Sequence, residues 1–538
     1  MTDTPSPHSG STADSRPGSV AWGPRGRVLA SLALATIVAG ALFVLKRGQD
    51  INWDLQNYHF YSGFSILHGR LDMGIAPVGL QSFLNPMLEA PVYLLFRMPY
   101  PVGPLVVFLI QWACVPVLYL IARRLLSGMS GRSSFSAMYL ALVLTLLSPL
   151  WLSELGTSFS SSWTASLVLA GLLMILKPKW TDEASLWSLG AAGVFLGIAS
   201  GLKLVNAPYA LTLGVCVVVV ELSGGAKATL KAALSYAAGL ALGILPCAWW
   251  YVSLWRHYGS PLFPYYNALF ASPLFPLLNW RDDRWKLDSV RDVGSYVWGT
   301  WTGTSISSEV AFGDRRLILL LVLFAVLVLA ALLRRVRVRL APSALILVLF
   351  FGLSYLVWAA VFAYQRYLIP IELLTGLVLW VIVSVLFRSR RLQVAVLCLL
   401  VAIAALGIQV PDWGHRKVRI GSTDPFAMRS IGELSQTPAL YIVATGPLGF
   451  AYPYLHPDSR FYSLGVSSAL DDAIYRQVAD LSTNLPIRII SAEGDTATAP
   501  AVLARLRALG VNGELYCREV AFGPGLRGSG LQRVCEIR

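Results

Sequence analysis

Charged residues are scarce in this chain. Only 13% of its 538 residues are Asp, Glu, Lys or Arg, whereas 56% are hydrophobic. Ordinary soluble domains contain about 25% charged residues. The apolar residues are gathered into runs of roughly 17 to 23, the length that a helix needs to cross about 30 Å of hydrocarbon. Because lipid offers backbone groups no hydrogen-bond partner, such runs must be helical. The composition excludes an ordinary soluble protein and predicts an all-α polytopic membrane protein.

The sequence also lacks the motifs of soluble catalysis. It contains no phosphate-binding glycine loop, no HExxH helix, no nucleophile elbow and no clustered Cys/His site. Four of the six cysteines fall inside apolar runs, which predicts that they are core residues: Cys114, Cys216, Cys247 and Cys398. Much of the net charge of +14 lies in short clusters between apolar runs. We read this distribution as a topology signal and expect no nucleic-acid partner.

About eleven apolar runs are predicted to span the membrane, at residues 28–45, 104–122, 135–151, 159–176, 185–201, 203–222, 232–254, 317–333, 341–362, 368–387 and 392–410. Cations cluster on alternate connections, at Arg123, Arg124 and Arg132, Lys177 and Lys179, Lys227 and Lys231, Arg334 to Arg339, and Arg388 to Arg391. By the positive-inside rule these connections are cytoplasmic. The other connections, including two long loops at 47–103 and 255–316, are then extracytoplasmic and mix aromatic and polar residues as interfacial helices do.

The two ends of the chain differ from the apolar part. Residues 1–24 are rich in Ser, Thr, Pro and Gly, which predicts a disordered cytoplasmic tail. A signal peptide is the competing interpretation of the first apolar run, but Lys46 and Arg47 stand where a cleavage site should lie. Residues 411–538 are assigned to a small extracytoplasmic α/β domain, because strand-like and helix-like segments alternate from Ala439 onwards.

The last two strand-like segments of this domain carry Cys517 and Cys535. If the two strands face each other, these cysteines come within bonding reach, and an oxidising compartment would let them form a disulfide. Two unpaired buried thiols remain the alternative. The cysteines therefore bear on which side of the membrane the domain occupies.

The first long loop, which begins INWDLQNYHFYSGFSILHGRLD, carries the first candidate for catalysis. An acidic residue just outside a span can act as a general base at the membrane surface, and Asp54 has that position. The structural alternative is that Asp54 only caps the helix that begins at Leu55. Glu154, in the turn SELGTSFSSS between the third and fourth spans, offers a second carboxylate that could converge on the same cleft.

Cations at the outer membrane edge form a second group of candidates. They are Lys203 in GLKLVNAPY, Arg256 and His257 in WRHYGSPLFPYYN, and Arg366 in AYQRYLIPIE. Since Lys and Arg are expected inside, cations at the outer edge need a reason. One reason is pairing with Glu309 or Glu372, and the other is an anionic lipid phosphate held between spans. Trp413, which follows the last span, is interpreted as an interfacial anchor.

The layout resembles the GT-C superfamily of integral membrane glycosyltransferases, which use polyprenyl-phosphate-linked sugars. The shared features are a first span followed at once by a long outer loop that opens with an acidic residue, here Asp54, and an extracytoplasmic C-terminal domain. The segments WDLQNYHFYSGFSILHGRLD, GLKLVNAPYA, GSPLFPYYNALF and YQRYLIPIELL look like a bacterial subgroup of such proteins. The resemblance implies a multi-pass protein of the bacterial inner membrane with a cytoplasmic N-terminus.

The resemblance also implies a reaction, which is an inverting sugar transfer from a polyprenyl-phosphate donor to a glycan, lipid or protein acceptor. Asp54 would be the base, and Glu154 matches a second acidic position that could orient the acceptor or hold a metal. Lys203 and Arg366 would neutralise the leaving phosphate. The substrate pocket would be bordered by Tyr58, His59, Arg70, Arg256 and His257.

The cofactor and the reaction class remain open from sequence. The turn after Glu154 has no further carboxylate, and the first loop has no DxD pair, so a divalent metal is possible but not required. A transporter or flippase of a lipid-linked glycan is the alternative function, favoured by glycines and a proline in the seventh span, at Gly239, Gly243 and Pro246. A polysaccharide ligase or polymerase is the third, and it would carry its catalytic loop late in the chain.

Overall fold

The computed structural model of the chain describes residues 24–129, 133–176, 183–304, 306–428, 431–523 and 530–538. The predicted N-terminal tail lies outside this part except for Pro24. Arg132, Lys177 and Lys179 of the predicted cytoplasmic connections also lie outside it. The described residues form a helical region, which ends at Gly407, and a smaller region built on a β-sheet.

The helices of the first region are Pro24–Arg47 (α1), Phe60–Leu67 (α2), Glu89–Phe96 (α3), Val102–Trp112 (α4), Cys114–Gly128 (α5), Phe135–Leu146 (α6), Pro149–Glu154 (α7), Ser161–Ile175 (α8), Glu183–Leu202 (α9), Ala207–Glu221 (α10), Ala226–Ile244 (α11), Ala248–Tyr258 (α12), Asn267–Phe270 (α13), Val290–Thr302 (α14), Arg316–Leu332 (α15), Pro342–Val361 (α16), Ile369–Glu372 (α17), Thr375–Leu386 (α18) and Arg390–Gly407 (α19). A π-helix at Leu55–His59 precedes α2, and 3₁₀ turns cover Gly79–Phe83 and Pro86–Leu88. Both long loops thus contain short helices.

The helical region has the character of a multi-pass membrane protein. Among the described residues, seven helical stretches are long and apolar enough to cross a membrane, or eight if the bent pair Gln365–Glu372 and Thr375–Leu386 is one span. The shorter apolar helices α6, α8 and α15 coincide with the three remaining predicted spans. The polytopic α-helical fold is therefore confirmed, and the count of about eleven spans stays a prediction.

Two short strands tie the ends of the helical region together. Gln49–Asp50 (β1), directly after α1, pairs antiparallel with His415–Arg416 (β2), which follows α19. Both helices therefore end on the same side of the region. Between the end of α1 and the end of α19 the chain must therefore cross the membrane an even number of times. The predicted topology meets this condition.

Glycines let the helices α9 and α11 approach each other closely. A Cβ atom on Gly239 would lie 1.9 Å from the carbonyl oxygen of Gly190. One on Gly243 would lie 2.3 Å from the carbonyl oxygen of Val194. Small residues are common where membrane helices pack backbone to backbone. Helix packing thus accounts for two of the residues that favoured a transporter.

The second region is a five-stranded sheet with the strands Leu440–Val443 (β3), Arg460–Ser463 (β4), Ile487–Ala492 (β5), Leu515–Ala521 (β6) and Leu531–Ile537 (β7). The strand order is β4-β3-β5-β7-β6, with β3, β4 and β5 parallel and β7 antiparallel to both of its neighbours. Helices Ser468–Leu481 (α20) and Thr498–Arg507 (α21) follow β4 and β5. The predicted small α/β domain is confirmed.

The sheet is covered on both faces. Residues of α20 and α21 pack on one face together with Leu440, Ile442 and Ile489. The other face packs on the first long loop, where aromatic residues of α2 and α3 meet side chains of β3 and β4. A Cβ atom on Gly449 would lie 2.0 Å from the carbonyl oxygen of Asn57, so only glycine permits this approach. The domain therefore rests directly on the loop that carries the first candidate residues.

Candidate active site

Two buried polar residues determine how the first long loop begins. The carboxylate of Asp50, which is fully buried, accepts hydrogen bonds from the backbone and side chain of Asn52. The side-chain oxygen of Asn52 in turn accepts from the backbone N–H of Leu55 at 2.7 Å, which is the bond of a helix N-cap. Asp54 makes no such capping bond. The residue that caps this helix is therefore Asn52, so capping does not explain Asp54.

The π-helix explains which side chains can meet. Its turns are closed by hydrogen bonds between residues five apart, and Phe60 N–H donates to the carbonyl of Leu55 in this way. The wider turn brings residues four and five positions after Asp54, which are Tyr58 and His59, closer to its face than an α-helix would. Tyr58 Oη lies 3.5 Å from Asp54 Oδ2. Burial, and then the fields of Asp54 and Glu89, raise the pKa of Tyr58 well above its usual value.

Asp54 forms an ion pair with Arg366, which lies 312 residues further along the chain. Arg366 Nη1 is 3.0 Å from Asp54 Oδ2, and both side chains are largely buried. The guanidinium also lies 4.0 Å from the ring centre of Phe159 and 5.2 Å from that of Trp413, distances typical of cation–π contacts. Its Nε atom is buried without a hydrogen-bond partner. Arg366 thus has a fixed position and a spare donor.

The run of serines after Glu154 holds three charged groups. Ser158 donates its backbone N–H to Asp50, Ser161 accepts from Lys203 Nζ at 2.8 Å, and Ser162 donates both N–H and Oγ–H to Glu154 Oε2.

The bonds from Ser162 give Glu154 a structural role. Ser161 and Ser162 are the first two residues of α8, so one oxygen of Glu154 satisfies the N-terminus of this helix. Glu154 is fully buried, and its other oxygen, Oε1, has no hydrogen-bond partner.

Lys203 lies in the break between α9 and α10, among charges of both signs. Burial lowers the pKa of its amine from the usual 10.5, the fields of Glu154, Glu89 and Asp54 oppose that shift, and the field of Arg366 reinforces it. The two predicted carboxylates and the two predicted cations are therefore close enough to interact. The structure brings all four together.

His59 and Glu89 form a buried pair beside this cluster. His59 Nδ1 contacts Glu89 Oε2 in a short hydrogen bond, and both residues are largely buried. His59 Nε2 is buried and has no partner. The imidazole also packs on the ring of Tyr58, with ring centres 4.1 Å apart. His59 therefore borders the cluster.

A buried polar network fixes the segment that carries Arg366. The side chain of Gln365 donates to Glu372 Oε1 at 2.6 Å and accepts from Tyr296 Oη at 2.9 Å. Glu372 Oε2 accepts from Ser148 and lies 3.6 Å from Arg316 Nη2. Arg316 is fully buried and is also paired with Asp314 at 2.6 Å. These bonds join helices from distant parts of the chain around the bend between α17 and α18.

The remaining sequence candidates lie elsewhere. Arg70 donates to the carbonyl oxygen of Ser459 at 2.7 Å and thus joins the first loop to the C-terminal domain. Arg256 is exposed in the last turn of α12, and His257, also exposed, lines a separate cavity. Cys517 and Cys535 are opposite each other in β6 and β7 and are joined by a disulfide.

Sequence reasoning left several site residues without a role. Asp50, Glu89 and Phe159 belong to the site, and Trp413, which was interpreted as an interfacial anchor, is buried against Phe159 and Arg366. The sequence does place Asp50 close to Asp54. The structure shows that Asp50 holds Asn52, the cap of the helix that carries Asp54. No local pattern indicates that Phe159 and Trp413 enclose a cation.

Among the residues that the structure describes, no three His, Cys, Asp or Glu side chains are grouped so that they could hold a metal ion. The unpartnered Oε1 of Glu154 has spare capacity to accept a bond.

Chemically, the cluster combines two carboxylates, two cations and aromatic side chains in a largely buried position at helix ends. Such an arrangement can hold an anion against Lys203 and Arg366 while Asp54 faces a reacting hydroxyl or amine. Its helices are those of a multi-pass membrane protein.

Comparison with solved structures finds proteins of similar fold. The chain is similar to ArnT from Cupriavidus metallidurans in the apo state, with a TM-score of 0.52 and 14% sequence identity, over 95% of this chain and 98% of that one. The structure of the same ArnT bound to undecaprenyl phosphate has a TM-score of 0.49 and 15% identity, over 96% and 98% of the two chains. No protein-family model and no curated protein matches the sequence.

Proposed function

We propose that this protein is an inverting glycosyltransferase that moves a sugar from a polyprenyl-phosphate donor to an acceptor at the extracytoplasmic face of the bacterial inner membrane. The observation that carries the proposal is the convergence of Asp54, Glu154, Lys203 and Arg366, which come from four distant segments. The fold of a GT-C enzyme and the resemblance of the sequence to that superfamily support it.

In the proposed reaction Asp54 removes the proton from the acceptor hydroxyl or amine. The freed electron pair forms a bond to the anomeric carbon from the face opposite the phosphate, which inverts the configuration there. The bond between the anomeric carbon and the phosphate oxygen breaks, and its electron pair leaves with the lipid phosphate. Arg366 Nη1 lies 3.0 Å from Asp54 Oδ2 and pairs with that oxygen. The other oxygen, Oδ1, is therefore the one that would accept the proton.

Lys203 and Arg366 would stabilise the leaving phosphate. Lys203 Nζ donates one of its three hydrogens to Ser161, and Arg366 retains the unpartnered Nε, so both can offer donors to phosphate oxygens. Fixed cations in a poorly solvated cleft stabilise developing negative charge strongly. Glu154, held by α8, would orient the acceptor through Oε1.

The orientation of the protein is part of the proposal. The cluster lies on the side where α1 ends, since Asp54 follows α1 and β1 directly. The cationic connections at Arg334 to Arg339 and Arg388 to Arg391 favour a cytoplasmic position for the opposite side. We therefore assign the first loop and the domain of residues 411–538 to the extracytoplasmic side. The flippase alternative retains no specific supporting observation beyond Pro246, which lies in a short 3₁₀ turn between α11 and α12.

The proposal is tested by sugar transfer in membrane vesicles. Polyprenyl-phosphate sugars and acceptors extracted from the native membranes serve as substrates, and the products are analysed by lipid and glycan mass spectrometry. Asp54→Asn keeps an oxygen that can accept from Arg366 but removes the base. We expect transfer to fall by a factor of about 10² to 10⁴, the usual contribution of a general base.

Asp458→Asn, a change of the same kind at an exposed position of the C-terminal domain, is the matched control and should transfer normally. Binding of polyprenyl phosphate should survive in Asp54→Asn, which would show that the variant is folded. Full transfer by a folded Asp54→Asn protein would refute the assignment of the base. Movement of a lipid-linked glycan across the membrane without any covalent product would establish the flippase instead.

A further inference from the structure

A cavity of about 180 Å³ lies between the first long loop, α12 and the C-terminal domain. Its walls include Ser62 of α2, Trp250 and Tyr258 of α12, and Gln477 of α20. This volume exceeds that of a cavity of about 150 Å³ that accommodates benzene. The cavity therefore has room for one small ring, and Gln477 is the lining residue that the C-terminal domain contributes.

The cavity shares a wall with the candidate active site. Pro86 lines the cavity, and Glu89, three residues later, contacts His59 of the site. Asn85 donates to the carbonyl oxygen of Gly201 at 2.9 Å, two residues before Lys203. The segment 85–89 thus faces the cavity on one side and the charged cluster on the other.

The lining has the chemistry of a sugar-binding site. Trp250 and Tyr258 supply aromatic surface, on which the apolar face of a sugar ring can pack. Ser62 and Gln477 supply hydrogen-bonding groups, and Gln477 Oε1 is buried without a partner. A buried acceptor without a partner costs free energy, and a hydroxyl donor of a ligand would remove that cost. The lining also includes Asp72 and His257, both of which are exposed.

We infer that this cavity binds a sugar residue of the acceptor. The inference rests on the proposed function and names the substrate class for the same site. It also gives the C-terminal domain a function, because α20 supplies one wall. The donor phosphate stays at Lys203 and Arg366, so donor and acceptor occupy opposite sides of the segment 85–89.

The test is a comparison of acceptor and donor dependence in the vesicle assay. Ser62→Phe fills the cavity, and Leu67→Phe adds a ring at an exposed position of the same helix as the control. We expect Ser62→Phe to raise the acceptor concentration for half-maximal transfer by about tenfold or more, the effect of losing one good hydrogen bond or its equivalent. Binding of polyprenyl phosphate should be unchanged in both variants.

Gln477→Ala is a milder change, which keeps the test valid if Ser62→Phe misfolds. It should also raise the acceptor concentration for half-maximal transfer, but to a smaller extent. Wild-type acceptor dependence in folded Ser62→Phe and Gln477→Ala proteins would overturn the inference while leaving the proposed function intact. Absence of any transfer by the unaltered protein would overturn the proposed function, and the inference with it.

Discussion

The phosphate subsite can be tested most directly by replacing Lys203. Lys203→Met removes an ammonium group from a partly buried position while keeping most of the side-chain volume. Of the hydrogens on Nζ, one is donated to Ser161, which leaves the others for a ligand oxygen. A hydrogen bond to a charged group contributes about 1.5–3 kcal/mol. The affinity for polyprenyl phosphate should therefore fall by roughly 10-fold to 150-fold.

The assay is a titration of polyprenyl phosphate into the protein in lipid nanodiscs, followed by native mass spectrometry. Lys231→Met, at an exposed lysine of α11, is the matched control and should bind polyprenyl phosphate normally. Equal affinity in folded Lys203→Met and unaltered protein would refute the assignment of this residue to the phosphate.

The pH dependence of the same binding gives an independent readout. Burial lowers the pKa of Lys203, so its positive charge is present below that pKa and is lost as the pH rises, earlier than the usual 10.5. The affinity of the unaltered protein should fall over this alkaline range, where the lipid phosphate keeps its charge. Lys203→Arg should abolish the fall, because a guanidinium stays protonated. Glu154→Gln removes the largest of the carboxylate fields that oppose this lowering of the Lys203 pKa. It should therefore move the loss of affinity to lower pH.

Two further predictions concern stability. Arg316→Met leaves the carboxylates of Asp314 and Glu372 buried without their cation and should cost about 3–5 kcal/mol in unfolding by detergent titration. Much of this loss should be recovered in Arg316→Met/Asp314→Asn, because Asp314 is the nearer partner; a loss that the double variant does not reduce would contradict the pairing. Replacing Cys517 and Cys535 by Ser should destabilise the C-terminal domain by about 3 kcal/mol, as expected for a loop of this length, and reduction should have no effect on the variant. Proteolysis under non-reducing and reducing conditions would measure this, and equal resistance of both proteins would contradict it.

Much of the fold could be predicted because the signals are local. Apolar runs of membrane-spanning length and the alternation of strands and helices after Ala439 depend on neighbouring residues only. The strand IRIISA, for example, coincides with β5 at Ile487–Ala492. The π-helix could not be predicted, since its hydrogen bonds differ from those of an α-helix by one residue and its apolar pattern over five residues is the same.

The candidate site was predictable only in part. Asp54, Lys203 and Arg366 stand out in the sequence because a charge at the edge of an apolar run is unusual wherever it occurs. Phe159 and Trp413 were not, because an aromatic residue near a membrane surface has an ordinary explanation and its contact with a cation depends on tertiary structure. The separation of Arg70 and Arg256 from the cluster depends likewise on how the loops fold over the helices.

The strand pair β1–β2 has a consequence for biosynthesis. Asp50, which supports the cap at Asn52, belongs to β1, and β1 pairs only with residues that follow α19. A nascent chain that has inserted its first spans therefore lacks one of the partners that order the start of the first long loop. This strand pair can form only after His415 and Arg416 have been synthesised.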